Sequence, residues 1–131
     1  MTSAILNEAP LLDHIGIPVA SFDDCVMFYS AVLGVMGYKI VKQSEGRVGF
    51  GFDKKPEFSI FASSAATGSN HFAFAAKDRA SVDRFYAAAI GTGATDNGAP
   101  GLRAEYHPNY YGTFVLDPDG NNVEAVCHNA E

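Results

Sequence analysis

The sequence predicts an α+β fold built from two copies of a unit with one strand, one helix and three further strands, and three observations indicate it. Residues 13–34 align without a gap with residues 70–91, at a shift of 57 positions. In both stretches an alternating apolar pattern changes to a helical one, with apolar residues three and four apart. Short runs rich in β-branched and aromatic residues then follow, separated by turn residues.

The internal duplication is specific because chemically distinctive residues coincide. His14 lies over His71, and the helical stretches match at Phe28 and Phe85, Tyr29 and Tyr86, Ala31 and Ala88, and Gly34 and Gly91. Repeated units of this kind bury their apolar faces against each other. The chain is the size of one domain. We therefore expect a single domain over residues 1–131, with module one at about 11–63 and module two at about 69–128.

The first strand of each module is expected to have one apolar side and one side that carries a histidine. Side chains on one side of a strand alternate along the sequence. The apolar sides are predicted to hold Ile15, Ile17 and Val19 in module one, and Phe72 and Phe74 in module two. The opposite sides are predicted to hold His14 with Gly16 and Pro18, and His71 with Ala73 and Ala75.

An amphipathic helix is expected after each first strand. The predicted buried stripes are Val26, Phe28, Tyr29, Val32 and Leu33 in one helix, and Val82, Phe85, Tyr86, Ala89 and Ile90 in the other. Ser21 and Asp78 precede the helices as N-cap residues. Gly34 and Gly91 are placed where a left-handed C-cap is common.

Three strand-like runs follow the first helix, GYKIVKQ, RVGFGFD and EFSIFA. After the second helix comes a longer Gly-, Asn- and Pro-rich connection, and then a hairpin around the turn Asp117-Pro118-Asp119-Gly120. This turn is acidic, but it lacks the ligand series of a calcium loop. Aligning FGFD with FVLD gives a shift of 64 positions, which places Glu124 over Ile60 and leaves about seven extra residues in module two.

Charge and cysteine content exclude several classes of function. The formal net charge is −6 and the nine Lys and Arg form no basic stripe, so we do not expect nucleic acid as a partner. No stretch has the length of a membrane span, and the N-terminus does not resemble a signal peptide. Cys25 and Cys127 lack metal-binding spacing and are interpreted as reduced core residues. We expect a cytoplasmic protein.

Two histidines and one glutamate are the candidate metal ligands. If the modules pair about a pseudo-twofold axis, His14 and His71 would face a shared cavity, and Glu124 in the last strand lies among apolar residues where a carboxylate needs a partner. Such a set suits Fe²⁺ or Mn²⁺ and tolerates Zn²⁺, Ni²⁺ or Co²⁺, and it leaves positions open for substrate. The alternative is that Glu124 meets a lysine or arginine and that the histidines bond to the backbone.

The stretches DHIGIPV, FYSAVLG, NHFAF and FVLDPDGNNVEAV resemble the vicinal oxygen chelate superfamily, also called the glyoxalase/bleomycin-resistance/dioxygenase family. The resemblance covers nearly the whole chain. It implies paired βαβββ modules that form a cupped mixed β-sheet around a metal or ligand cavity. It also implies that His14, His71 and Glu124 bind a divalent metal, which chelates vicinal oxygens of the substrate and stabilises an oxyanion or enolate.

Departures from the family patterns narrow the activity. Glyoxalase I-like members use a fourth ligand from the last strand of module one, where this sequence aligns Ile60. Ser59 is a poor substitute by parity and Glu57 by position, which weakens a lactoylglutathione lyase assignment. Fosfomycin-modifying members need cationic contacts, and Arg103 is the only Lys or Arg after Arg84. Ring-cleaving dioxygenases add an acid-base His and Tyr, usually in a longer chain, and bleomycin-binding members lack the metal ligands.

Residues of the long connection in module two are candidates for proton transfer. His107 is a candidate general acid or base, and Tyr106 and Tyr110 are candidate hydrogen-bond donors to a substrate oxygen. A loop whose aromatic residues cover the sheet edge explains the same residues equally well.

Two functions are therefore expected from the sequence. The first is a divalent-metal-dependent enzyme on a small oxygenated molecule, of the dioxygenase or glyoxalase-like lyase or isomerase type. The alternative is a metal-free small-molecule (drug) binding protein of the bleomycin-resistance type. A homodimer is expected if the cup closes only when two chains pair.

Overall fold

The computed structural model describes residues 9–131, which form two helices and eight strands. In chain order the elements are β1 (Ile15–Val19), α1 (Phe22–Gly34), β2 (Lys39–Ser44), β3 (Arg47–Gly51), β4 (Phe58–Ala62), β5 (His71–Ala75), α2 (Arg79–Gly91), β6 (Thr95–Leu102), β7 (Tyr111–Leu116) and β8 (Asn122–Cys127). The predicted α+β fold with two βαβββ modules is confirmed.

Each module forms its own four-stranded mixed sheet. The strand orders are β1-β4-β3-β2 and β5-β8-β7-β6. The first strand pairs in parallel with the last strand of its module, and the other neighbours are antiparallel. The strands β1 and β5 thus occupy equivalent edges.

One hydrophobic core joins the two modules, and both helices contribute to it. Phe28, Tyr29, Val32 and Leu33 of α1 are buried, as are Val82, Phe85 and Ala89 of α2, in agreement with the predicted stripes. Ile90 departs from the prediction because it is 39% exposed. Between the modules, the ring of Phe58 lies 5.3 Å from that of Phe72 and 5.1 Å from that of Phe74. The helix-covered faces of the sheets therefore bury Ile17 and Val19 and partly bury Phe72 and Phe74, as predicted, whereas Ile15 at the start of β1 is 36% exposed.

The helix ends agree only in part with the sequence. The Asp78 side chain accepts the Ser81 backbone N–H, as an N-cap should. Ser21 occupies the N-cap position of α1, but its side chain makes no capping bond. The carboxylate of Asp119, from the turn between β7 and β8, takes that place by accepting the N–H groups of Ala20 and Ser21.

The left-handed glycines were predicted at the wrong positions. Gly34 and Gly91 are the last helical residues, and each is followed by a residue in the right-handed helical region. The positive φ angles belong to Gly37 (94°) and Gly93 (92°). Each helix thus continues as a tight turn before the chain reverses.

The Gly-rich connection of module two contains a strand, which its composition concealed. Strand β6 pairs with β7 through two register shifts, around Gly98 and Gly101. Most of the extra residues lie in the connection 103–110, which replaces the two-residue connection 45–46 of module one. Backbone bonds order this connection, including one from Arg103 N–H to the Tyr110 carbonyl at 2.7 Å.

The strand register corrects the alignment of Glu124 with Ile60. In module one Ser59 lies opposite Gly16, and in module two Glu124 lies opposite Ala73, the equivalent of Gly16. Ser59 is therefore the symmetric counterpart of Glu124, and Ile60 is fully buried in the core. The shift in the last strand is 65 rather than 64, and a one-residue slip exchanges the faces of a strand.

The two cysteines are free and buried, as predicted. Burial and the neighbouring Asp117 and Asp119 carboxylates raise the pKa of the Cys25 thiol to about 12. Neither helix of the described part of the chain is long and apolar enough to cross a bilayer.

Candidate metal centre

His71 and Glu124 come together on the open face of the second sheet, which is the face opposite the helices. Strands β5 and β8 are paired so that Glu124 lies beside Ala73, two residues from His71 on the same face. The Nε2 atom of His71 is 3.6 Å from Oε1 of Glu124. The Glu124 residue is only 2% exposed, although His71 is about half exposed. A buried carboxylate thus faces an accessible imidazole.

The backbone fixes the orientation of the His71 ring. Its Nδ1 atom lies 3.0 Å from the carbonyl oxygen of Asn122, which can only accept a hydrogen bond. Nδ1 therefore carries a proton, and Nε2 is the nitrogen that faces Glu124. The ring of Phe114 stacks over the imidazole at 6.3 Å. A histidine that donates through one nitrogen and presents the other is oriented as metal-ligating histidines are.

Tyr110 contacts the other oxygen of the glutamate. Its hydroxyl donates to Oε2 of Glu124. Burial and the bond to Glu124 raise the pKa of the Tyr110 phenol well above its usual range. In the chain as described, Tyr110 is therefore a hydrogen-bond donor. Gly112 leaves the space for this pair, because a Cβ there would lie 3.1 Å from the Tyr110 ring and 3.3 Å from Oε2 of Glu124.

The other two candidates for proton transfer have different partners. Tyr106 is 63% exposed and packs edge-on against the Tyr110 ring. His107 is exposed, and its Nδ1 accepts the Asn109 N–H. His128 is exposed, and its ring contacts the rings of both His107 and Tyr110. Tyr110 is thus the one of the three predicted residues that hydrogen bonds to Glu124.

His14 is placed on the first sheet with its own carboxylate partner. Its Nδ1 lies 2.8 Å from Oδ2 of Asp13, and the other oxygen of Asp13 accepts from Lys55. The hydrogen bond with Lys55 lowers the pKa of Asp13 most, and the contact with His14 lowers it further. The side chain of His14 is 68% exposed. As in His71, the contact uses Nδ1 and leaves Nε2 available.

Within one chain His14 does not join the other two candidate ligands. Across residues 9–131, no three His, Cys, Asp or Glu side chains form a group that could hold a metal ion. Strands β1 and β5 belong to different sheets and do not pack side by side. The sequence symmetry correctly identifies His14 and His71 as equivalent positions of the two modules. The two histidines do not converge on one site within residues 9–131.

Two positions that support the histidines were not identified from the sequence. Asp13 immediately precedes His14, so an Asp-His pair was the available signal. Asn122 lies opposite His71 in the parallel register and acts through its carbonyl oxygen, which leaves no trace in residue type.

Comparison with known proteins decides the family. The sequence model of the Glyoxalase/Bleomycin resistance protein/Dioxygenase superfamily matches residues 11–125. The chain belongs to this superfamily. The resemblance noted from the sequence is thereby confirmed, and superfamily members commonly use divalent metals.

Solved structures of this superfamily have the same fold. A glyoxalase/bleomycin resistance protein from Albidiferax ferrireducens T118 is 25% identical, with a TM-score of 0.78 over 90% of this chain and 99% of that one. Lactoylglutathione lyase from Agrobacterium tumefaciens is 21% identical, with a TM-score of 0.67 over 92% and 96%. A family enzyme from Burkholderia phytofirmans PsJN is 19% identical, with a TM-score of 0.69 over 89% and 98%. No curated protein matches the sequence significantly.

Proposed function

We propose that this superfamily member is a divalent-metal-dependent enzyme that acts on a small oxygenated molecule. His71 and Glu124 would hold the metal together with His14 from a second copy of the chain, and Fe²⁺ or Mn²⁺ is the preferred ion for such a ligand set. A bound divalent ion with open positions would chelate vicinal oxygens of the substrate and stabilise an oxyanion or enolate. The reduced state of Cys25 and Cys127 suits a cytoplasmic location.

The observation that supports this proposal most directly is the arrangement of His71 against Glu124. The Nδ1–H of His71 is used by the Asn122 carbonyl, so Nε2 is the nitrogen that faces a carboxylate oxygen, at 3.6 Å. A divalent ion between or beside these two atoms would be bound by both of them. The near-complete burial of Glu124 makes compensation of its charge valuable.

A second copy of the chain is invoked because of the two equivalent sheet edges. Strands β1 and β5 are edge strands, and an unpaired edge is a template for pairing with another chain. The histidines lie at the start of these strands or just before it. If β1 of one chain approaches β5 of another, His14 of the first chain reaches His71 and Glu124 of the second. Twofold symmetry then creates two identical sites.

The chain's own residues have distinct roles in this proposal. The Asn122 carbonyl and the Asp13 carboxylate orient the two imidazoles. Tyr110 is positioned to donate a hydrogen bond beside the metal ligand Glu124. Tyr106 and His107, in the same connection, form the outer wall from which a proton could be relayed.

Metal content tests the proposal. Protein purified without an affinity tag is reconstituted with Mn²⁺ or Fe²⁺ under anaerobic conditions, desalted, and analysed by elemental mass spectrometry. We expect about one metal ion per chain. The variants His14→Ala, His71→Ala and Glu124→Ala should each lose most of it, because each removes one of three ligands.

The exposed His128→Ala variant is the matched control, since it removes an imidazole near Tyr110 that is not a proposed ligand. It should retain the metal. If the wild-type protein takes up no metal, or if Glu124→Ala binds as much as wild type, the proposal is wrong.

A second candidate function is supported by an apolar cleft between the modules. It has a volume of about 300 Å³, and aromatic residues form much of its wall: Tyr38, Phe50, Phe58, Phe72 and Phe74. Such a cleft suits a metal-free protein that holds an apolar small molecule. Ligand binding that survives both chelation and Glu124→Ala would favour this function over the enzyme.

A further inference from the structure

The open face of the first sheet contains a cleft of about 480 Å³ beside His14. The paired strands place a row of residues across this face, in the order Gly16, Ser59, Gly49 and Lys42. Two of the four are glycines, and side chains of other residues lie over them: a Cβ would be 2.7 Å from the Pro56 Cβ at Gly49 and 3.4 Å from Nη2 of Arg47 at Gly16. Pro56 and Arg47 thus border the cleft, which lies next to a proposed metal ligand.

Positive charge is concentrated in this cleft. Lys42, Arg47 and Lys55 all line it, which are three of the nine Lys and Arg in a chain of net charge −6. Asp13 is the only acidic residue in the lining, and it already interacts with both Lys55 and His14. The cleft thus carries a local excess of positive charge, whereas the chain as a whole is negatively charged.

Two of the three cations have no anionic partner. Among residues 9–131, no carboxylate pairs with Lys42 or Arg47. The guanidinium of Arg47 is held over the Phe61 ring at 5.1 Å, and its Nη2 lies 3.4 Å from the position a Cβ on Gly16 would take. Arg47 is thus oriented across β1 by stacking, and within residues 9–131 its guanidinium donates no hydrogen bond.

The spacing suits one small molecule. Gly16, which lies under the Arg47 guanidinium, is two residues after His14, and two residues of extended chain span roughly 7 Å. A substrate that chelates a metal at His14 through two oxygens would extend a further substituent over this distance. A planar arginine fork binds carboxylate and phosphate groups in a bidentate manner.

We propose that the substrate carries an oxyanion substituent, a carboxylate or a phosphate, which Arg47 and Lys42 bind while its vicinal oxygens face the metal. This inference rests on the proposed function and specifies its substrate class. It assigns Arg47 as a specificity-determining residue.

Matched probes that differ only in the anionic substituent test this inference. Catechol, 3,4-dihydroxybenzoate and 3,4-dihydroxyphenylphosphonate are titrated calorimetrically into Mn²⁺-loaded protein at low salt. All three chelate through the same two hydroxyl groups. At least one of the two acids is expected to bind about tenfold or more tightly than catechol, because an arginine contributes a charge-assisted bidentate bond. The tighter of the two acids identifies the substituent.

The preference should disappear in Arg47→Gln and fall in Lys42→Gln. The matched control is Arg79→Gln, since Arg79 is stacked over the Tyr111 ring at 5.2 Å but lies in module two, outside the cleft. This control should keep both the metal and the preference. If Arg47→Gln itself loses the metal, the inference is judged on Lys42→Gln alone, because the Lys42 side chain is exposed: a preference for the acids that is unchanged in this variant would contradict the inference.

Metal-loaded wild-type protein that binds both acids no better than catechol would overturn the inference and leave the proposed function intact. Protein that takes up no metal would instead overturn the proposed function. In that case benzoate is compared with benzyl alcohol on the metal-free protein, where equal binding also overturns the inference.

Discussion

At the scale of single residues, the hydrogen bonds of Glu124 determine what its burial costs. Oε2 accepts from the Tyr110 hydroxyl, whereas Oε1 faces the His71 imidazole at a distance longer than a hydrogen bond. A buried carboxylate that loses a donor retains the cost of its desolvation. Tyr110 therefore contributes to stability most strongly when no metal is present.

The substitution Tyr110→Phe tests this role in metal-free protein. We expect the free energy of unfolding to fall by about 1–3 kcal/mol, since the buried Glu124 carboxylate loses a partner. Urea titration followed by circular dichroism measures the change. Tyr111→Phe is the control, because the Tyr111 hydroxyl donates to Asp83 in an exposed pair. An equal decrease in the free energy of unfolding in the two variants would show that the Tyr110 hydrogen bond stabilises the protein no more than an exposed one does.

At the scale of secondary-structure elements, the turn between β7 and β8 connects the two modules. The Asp117 carboxylate accepts the hydroxyl of buried Tyr29 at 2.6 Å and two N–H groups of its own turn. This arrangement positions Asp119 against the N-terminus of α1, where a negative charge interacts favourably with the helix dipole. The acidic turn therefore has a structural role, consistent with its interpretation as a turn rather than a calcium loop.

Replacing Asp119 should destabilise the whole chain. Asp119→Ala removes the acceptors of two N–H groups at the start of α1, and the loss of an N-cap acceptor typically costs about 1–2 kcal/mol. Asp119→Asn retains one acceptor oxygen and should lose about half as much. Asp53→Ala, in the exposed equivalent turn of module one, is expected to change stability by less than about 0.5 kcal/mol. Denaturant midpoints that coincide for Asp119→Ala and Asp53→Ala would contradict the capping role.

The repeat and the helical stripes could be predicted because they depend on periodicity, which the sequence displays directly. Strand β6 could not, since its glycines accommodate two register shifts and hide the alternation. The alignment of Glu124 with Ile60 failed because it followed the residue similarity between FGFD and FVLD. Hydrogen-bond register pairs Gly49 with Ser59 and Phe114 with Glu124, at the same separation in both hairpins, so the whole hairpin is offset by 65 and Ser59 is the counterpart.

This register leads to a gain-of-function prediction at Ser59. Ser59→Glu would place a carboxylate on the open face of module one, between Gly16 and Gly49. We expect about a tenfold or greater increase in Mn²⁺ affinity in a competition titration with a chelating dye, because a fourth ligand is added near His14. Ile60→Glu is the contrasting variant and should unfold the protein, as Ile60 is fully buried. Unchanged metal affinity in folded Ser59→Glu would place position 59 away from the metal.

At the scale of the whole molecule, a module can pair with the other module of its own chain or with a module of a second chain. The internal repeat in the sequence is the same in both cases and does not distinguish them. In this structure the modules share a core through their helix-covered faces, and the edges of β1 and β5 stay apart. The distinction determines whether the three proposed ligands come from one chain or two. It therefore determines whether metal binding requires a dimer.

Complementation between two inactive variants distinguishes these cases. His14→Ala and Glu124→Ala proteins are each expected to lose the metal. When they are mixed under conditions that exchange subunits, each mixed dimer should contain one site with both ligands missing and one site with none missing. Since random exchange makes half of the dimers mixed, metal binding should recover to about a quarter of the wild-type level. Size-exclusion chromatography with light scattering should show twice the 13.9 kDa chain mass throughout.

A mixture of His71→Ala with Glu124→Ala is the control, because both ligands lie on the same chain's second sheet and no intact site can form. Recovery in this control, or none in the first mixture with confirmed exchange, would contradict a site shared between chains.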